Sequence, residues 1–309
     1  MTTTSERVDA VSTGDSTSTA AEEWAAWHAE REQGLTGEHG WLTLTALRFL
    51  SGTPQSIPGL AGEWWADADG AHVRATAPEG LRAWDTRTGR DTDEVALDGQ
   101  HTVVVPEAGS TLAALGADGV AAEVALRTGR YVVRVRDPKA PARTGFTGVP
   151  TYAYDPSWVL DAPVRWYDEP RPTLVRAAQP GLRHHVRVVG ELDVVRDGVT
   201  TTLAITGQQA GTGSVLFSDT TQDTAEWRVV SLPPVDVPSA AEASAAETSA
   251  AEAGSVDAPA SGSLPTTVRL DLNRALNFPA AFSDHGTCPR PVDGNHLPVP
   301  VTAGEKDPR

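Results

Sequence analysis

The sequence predicts a mainly β fold: a barrel or curved β-sandwich of antiparallel strands with one N-terminal α-helix. Three observations carry that prediction. Short apolar, β-prone runs recur at a spacing of about 8–12 residues between turn-forming pairs such as Asp-Gly. Only one segment, near the N-terminus, has helical spacing of its apolar residues. No strand–helix–strand rhythm exists, which argues against a parallel α/β architecture.

Residues 1–20 are rich in Ser and Thr and read as a disordered tail, leaving a single β-rich domain over 21–309. Thr19-Ala20-Ala21-Glu22 matches a capping box. Trp24, Trp27, His28 and Arg31 follow at i, i+3, i+4 and i+7, one face of a helix that ends near Gly34 and is expected to dock on a sheet. Trp41–Leu50 is apolar and β-prone. Four hairpins are then expected: Glu63–Ala66 with Ala71–Thr76, Glu94–Leu97 with Thr102–Val105 around Asp98-Gly99, Val120–Leu126 with Tyr131–Val135 around Thr128-Gly129, and Val186–Val195 with Val199–Ile205 around Asp197-Gly198. Val215–Phe217, Trp227–Leu232 and Val268–Leu272 supply further strands. The glycine-rich stretch 207–213 has no helix after it, so it reads as a hairpin loop rather than a phosphate-binding loop. Residues 233–265, dense in Ala, Ser, Glu and Pro, read as a solvated insertion between two adjacent strands. Loop-closure entropy grows only about 0.6 kcal/mol per doubling of length, so the fold tolerates it.

Composition narrows function. The 309 residues carry 25 basic and 41 acidic side chains, a formal charge of −16. That disfavours nucleic acid and anionic membrane surfaces as partners. One Cys excludes an internal disulfide and any Cys-rich metal site, and neither metal nor cofactor is expected. The polar N-terminus lacks the basic and apolar regions of a signal peptide, and no apolar run approaches the roughly 18 residues of a membrane span, so the expected location is cytoplasmic. Oligomeric state is left open.

The densest run of polar and special residues is C-terminal, from Val268-Arg269-Leu270-Asp271-Leu272-Asn273-Arg274 through Asn277-Phe278-Pro279 and His285-Gly286-Thr287-Cys288-Pro289 to Asn295-His296-Leu297-Pro298 and Ala303-Gly304-Glu305-Lys306. Its prolines exclude regular structure and suggest a long ordered loop that crosses a barrel mouth or seals a sheet. This run resembles the signature of the DUF1684 family, a bacterial family of unknown function. Gly40-Trp41-Leu42 and Arg134-Val135-Arg136-Asp137, with Phe146, Gly148 and Asp155-Pro156, resemble its other elements, so the likeness extends over about 24–309. Phe217, Asp219 and Thr221 fit a further family segment. Asp223, Glu226, Trp227 and Ser231 depart from it, Ser231 standing about where the family has arginine, and Ala280 replaces a cysteine.

Strand alternation puts Arg134 and Arg136 on one face, where two guanidiniums can grip a carboxylate or phosphate, or pair instead with Asp137, Asp219 or Asp271. Asp137, Asn273, Arg274, Asn277 and Asn295 complete the expected ligand-binding set. Asp219 and Asp271, if they face each other, form a carboxylate pair suited to general acid–base work. Cys288 near His285 is a candidate nucleophile, or a small buried hydrophobe. Of His184 and His185, alternation allows only one to join a site. Three function classes stay open: a small-molecule-binding β-protein with an arginine-lined pocket for an anionic or polar ligand, a hydrolase-type enzyme built on Asp219 and Asp271, and an interaction module without chemistry.

Overall fold

A computed structural model describes residues 13–85, 90, 91, 96–116, 118–234 and 264–309. Strands take up 43% of the chain and helices 15%, the described strands pair antiparallel within their sheets, and the fold is mainly β as expected. The chain builds two β assemblies in succession.

The first holds β1 (Leu44–Phe49), β2 (Gln55–Ser56), β3 (Glu63–Asp67), β4 (Gly70–Ala75), β5 (Arg82–Asp85), β6 (Arg90–Asp91), β7 (Gly99–Val103), β8 (Ser110–Leu115), β9 (Ala121–Arg127) and β10 (Arg130–Arg136). They form a six-stranded sheet in the order β1-β10-β9-β8-β5-β6 and a four-stranded sheet β2-β3-β4-β7. Trp64, Val73, Leu81, Val124 and Val133, each fully buried, lie in the core between them. The Thr128-Gly129 turn closes β9 on β10, both residues taking positive φ (54° and 67°) as a two-residue hairpin requires. Among the described residues the hairpin expected around Asp98-Gly99 is not formed: Gly99 opens β7, which pairs with β4, Ala96 and Leu97 are not in a strand, and residues 94 and 95 of the expected arm lie outside the described residues.

The second assembly is one seven-stranded sheet in the order β16-β11-β12-β13-β14-β15-β17. Its strands are β11 (Val159–Arg176), β12 (Arg183–Arg196), β13 (Val199–Thr206), β14 (Ser214–Phe217), β15 (Arg228–Ser231), β16 (Thr267–Asp271) and β17 (Leu276–Asn277). A flat sheet of seven strands would hold its edges roughly 29 Å apart. The two edge strands here, β16 and β17, are joined by residues 272–275 alone, which reach at most about 18 Å when extended. The sheet therefore curls into a half-barrel. Trp158, Leu192, Leu203, Ile205, Phe217, Val230 and Leu270 fill it. The Pro-rich C-terminal loop seals its open side, adding Leu297, Val301 and Ala303 to the same core. The insertion after β15 connects it to β16, which are not neighbours in the sheet as expected, and 235–263 lie outside the described residues.

The helix α1 (Thr13–Leu35) starts before the anticipated cap, so 13–20 of the expected tail are helical; residues 1–12 are not described. It docks as expected through Trp24, His28 and Arg31. Trp24 Nε1 donates to the Asn273 carbonyl (2.7 Å) on the segment joining the half-barrel's edges, and Arg31 Nη2 to that of Asn277 (2.9 Å) in β17. Among the described residues no helix is long and apolar enough to cross a membrane.

β11 and β12 run past the sheet as a two-stranded ribbon. Their register jumps from Trp166↔Gly190 to Arg171↔Val188, a bulge that absorbs residues 167–170. The ribbon tip reaches the first assembly: Thr128 Oγ1 donates to the Arg183 carbonyl (2.9 Å), and the Arg183 amide donates back (3.1 Å).

Candidate functional site

A cleft of about 450 Å³ lies where the ribbon, the β9–β10 hairpin and the C-terminal loop meet. Arg127, Arg134, His184, Thr287 and Cys288 give it polar groups, and Trp41, Phe278, Pro279 and Pro289 give it apolar walls.

Its cations follow from strand register. Arg134 stands directly opposite Glu123 across β10 and β9, and Arg136, two residues on, shares the face. Arg136 Nη2 lies 2.6 Å from Glu123 Oε2, and Arg134 Nη1 lies 3.1 Å from Oε1, with all three side chains buried. Arg136 is saturated: its Nε also donates to Glu123 and its Nη1 to the carbonyls of His39 and Gly40 (2.8 and 2.9 Å). Both guanidiniums sit near the Trp41 ring, at 5.8 Å for Arg134 and 4.8 Å for Arg136. Arg134 differs in one respect. Its side chain is 2% exposed, yet Nε and Nη2 have no hydrogen-bond partner. These two N–H groups lie on one edge of the guanidinium, parallel, in the fork that suits two oxygens of one anion. Burial lowers its pKa from the ordinary arginine value, with Glu123 opposing.

Arg127, at the end of β9, gives Nη1 to the carbonyls of Gly109 and Leu126 and Nε to Thr287 Oγ1 (3.4 Å). His184 Nε2 bonds the Thr287 carbonyl, so that nitrogen carries the proton and Nδ1 is the acceptor. Burial lowers the His184 pKa, keeping the ring neutral near pH 7. Burial likewise raises the Cys288 pKa, so it is a neutral thiol rather than an activated nucleophile. The thiol lies beside the cations but burial outweighs them.

The expected set is thus only partly assembled in the cleft: Arg134 and Cys288 line it, and Arg136 braces Glu123 behind it. Asp137 accepts from the Lys139 amide in the turn after β10 (2.8 Å). Asn273 exchanges hydrogen bonds with the backbone of Asp155 (3.0 and 2.9 Å). Asn295 does the same with Ala204 and also reaches Leu216, pinning the loop to β13 and β14. Asn277 donates to the Lys306 carbonyl and, through its amide, to Glu305 (2.7 and 2.6 Å). Arg274 lies over Trp27 (4.9 Å) and 3.6 Å from Asp271, at a larger cavity of about 590 Å³ beside α1. That cavity's rim reaches Pro233, and Arg269 lines it beside Arg274, which already faces Asp271.

Asp219 and Asp271 share no partner among the described residues, so the geometry offers no carboxylate pair. Asp219 is buried against Arg228 (2.7 Å) and accepts from the Thr221 and Val301 amides. Asp271 caps Asn273 and faces Arg274. Neither Arg134 nor Arg136 pairs with Asp137, Asp219 or Asp271; both take Glu123. Glu123 and Arg127 escaped the sequence reading of the site, and of the His184–His185 pair it is His184 that lines the cleft. Glu123 was within reach of that reading: with Arg127 opposite Arg130 across a two-residue turn, counting four residues back on each arm puts Glu123 opposite Arg134. Arg228, three residues before Ser231, was also missed.

None of the curated proteins compared with the chain matches it. Solved structures that match include an uncharacterized protein of Haloarcula marismortui determined by solution NMR, 26% identical over 53% of this chain and 79% of that one, with a TM-score of 0.38. A family model described as "Protein of unknown function (DUF1684)" matches residues 144–306, the half-barrel and its sealing loop, while Gly40–Leu42 and Arg134–Asp137 fall outside the match. That span is just over half of the chain, and the protein belongs to the DUF1684 family.

Proposed function

We propose that this protein binds a small anionic molecule in the cleft between its two β assemblies, held by Arg134 with Arg127 as the second cation. One observation carries the reading: a buried arginine that offers two parallel, unpartnered donors at a cleft. Each buried donor left unpaired costs about 1–3 kcal/mol. An anion taking both would remove that penalty, in a form of preorganisation. The apolar walls supply the remaining contact area, as in most small-molecule sites. The test is a thermal-shift screen of anionic metabolites against the wild type and Arg134→Lys. Lysine keeps a charge for Glu123 but lacks the fork. Anions that raise the wild-type Tm and leave the variant's unchanged support the reading. A wild type indifferent to every anion refutes it.

A further inference from the structure

We infer that the ligand of this cleft is an amphipathic monocarboxylate, its carboxylate on the Nε–Nη2 edge of Arg134 and its apolar body against Trp41 and Phe278; this rests on the anion-binding reading above and names its ligand class.

Charge decides between a carboxylate and a phosphate. Arg127, Arg134 and Arg136 bring three positive charges around the cleft floor, and Glu123 removes one. Glu107 accepts from the Thr128 and Gly129 amides (2.7 and 2.9 Å) beside Arg127 and removes a second. His184 and Cys288 add none, since burial holds both neutral. One positive charge remains. A monoanion neutralises it, whereas a dianion leaves a surplus negative charge in a poorly solvated place, which is strongly unfavourable.

Donor geometry agrees. Nε and Nη2 supply two parallel N–H groups, matching the two oxygens of a carboxylate. A phosphate would need further donors for its third oxygen. Arg127 has Nε and Nη1 spent on Gly109, Leu126 and Thr287 and only Nη2 left for such an oxygen, and Arg136 is fully engaged, so charge rather than donor count separates the two ligands. The walls select the rest of the molecule. Trp41, Phe278, Pro279 and Pro289 offer apolar faces, and about 450 Å³ accommodates a body larger than acetate.

Isothermal titration calorimetry of the full chain with four probes tests this: 3-phenylpropanoate, propanoate, 3-phenylpropanamide and phenyl phosphate. The expected order places 3-phenylpropanoate first. Propanoate, lacking the ring, and the amide, lacking the charge, each bind at least about tenfold more weakly. Phenyl phosphate also binds more weakly, and increasingly so as pH rises through its second ionisation near 6. Arg134→Lys weakens 3-phenylpropanoate at least about tenfold while its Tm stays near the wild-type value. Tighter binding of phenyl phosphate overturns the monocarboxylate and leaves the anion site standing. Equal binding of propanoate and 3-phenylpropanoate overturns the amphipathic part. Equal binding of the acid and its amide, or no binding by any probe, overturns both readings. Should Arg134→Lys fail to fold, the acid–amide comparison on the wild type still decides.

Discussion

Arg134 stands opposite Glu123 in the β9–β10 ladder with their charged atoms 3.1 Å apart, and the same carboxylate holds Arg136 at 2.6 Å. One buried acid thus orients two buried bases and leaves one of them with donors to spare.

Glu123→Gln removes the charge that compensates both guanidiniums. Breaking a buried ion pair from one side costs about 3–5 kcal/mol, because the remaining charge is stranded. Urea unfolding monitored by tryptophan fluorescence should show a loss in that range. A loss below about 1 kcal/mol would mean that water reaches the arginines, and that the cleft floor is not dry.

The Asp219–Arg228 pair is asymmetric. Arg228 is fully buried and also donates to the carbonyls of Val301, Ala303 and Glu305. Asp219→Asn should therefore be the milder change, since the guanidinium keeps its carbonyls. Arg228→Met orphans a carboxylate and three carbonyls together, at about 3–5 kcal/mol or more. Denaturation of the two single variants and the double variant checks the order. The double variant should not recover wild-type stability, because the carbonyls remain unserved.

Acid should weaken the fold partly through His184. Its folded pKa is lowered, chiefly by burial, with Arg127 and Arg134 adding to the effect and the Thr287 carbonyl and Glu107 opposing it. The unfolded chain then binds the proton more readily. The contribution is fully present above the unfolded value of about 6.5 and is lost as pH falls toward the folded one. His39 and His101, also lowered by burial, act in the same sense. Urea midpoints between pH 7.5 and 5 should decline, and His184→Gln should decline less steeply. An unchanged slope in that variant would remove His184 from the account.

Gly304 takes φ +76°, and a Cβ there would sit 2.6 Å from the Ala275 carbonyl oxygen and 3.0 Å from that of Leu272. The neighbours are backbone and cannot yield cheaply. Gly304→Ala should cost about 1–3 kcal/mol in strain, plus the clash. A calorimetric Tm within a degree of wild type would contradict this placement of the C-terminal loop against the half-barrel seam.

The hairpins at Asp67–Gly70, Thr128-Gly129 and Asp197-Gly198 were legible because a turn is written in two to four adjacent residues whose chemistry demands it. The ribbon strand β11 was not. Pro163, Pro170 and Pro172 argue against a strand; the structure admits Pro170 in the bulge, Pro172 on the exposed ribbon and Pro163 at the last pair of β11 with β16, opposite Thr267. The shared face of Arg134 and Arg136 on β10 was legible from alternation alone. Its partner was sought in Asp137, Asp219 and Asp271, while the acid lay across the nearest turn. His184 reaches the cleft through a contact with Thr287, 103 residues away, which no local pattern encodes. The asparagines looked like ligand groups because side chains that satisfy loop backbone and side chains that bind ligands share one chemistry.

The sealing loop has a consequence for biosynthesis. Every strand of the first assembly lies between residues 44 and 136, and its core is complete once that stretch exists. The half-barrel lacks Leu297, Val301 and Ala303 until residue 303 has been made, and β11 must wait for β16, whose partners lie more than 100 residues downstream. One lobe can form while the ribosome is still translating. The other folds only after it, onto a neighbour already in place, and the cleft is the last feature to appear.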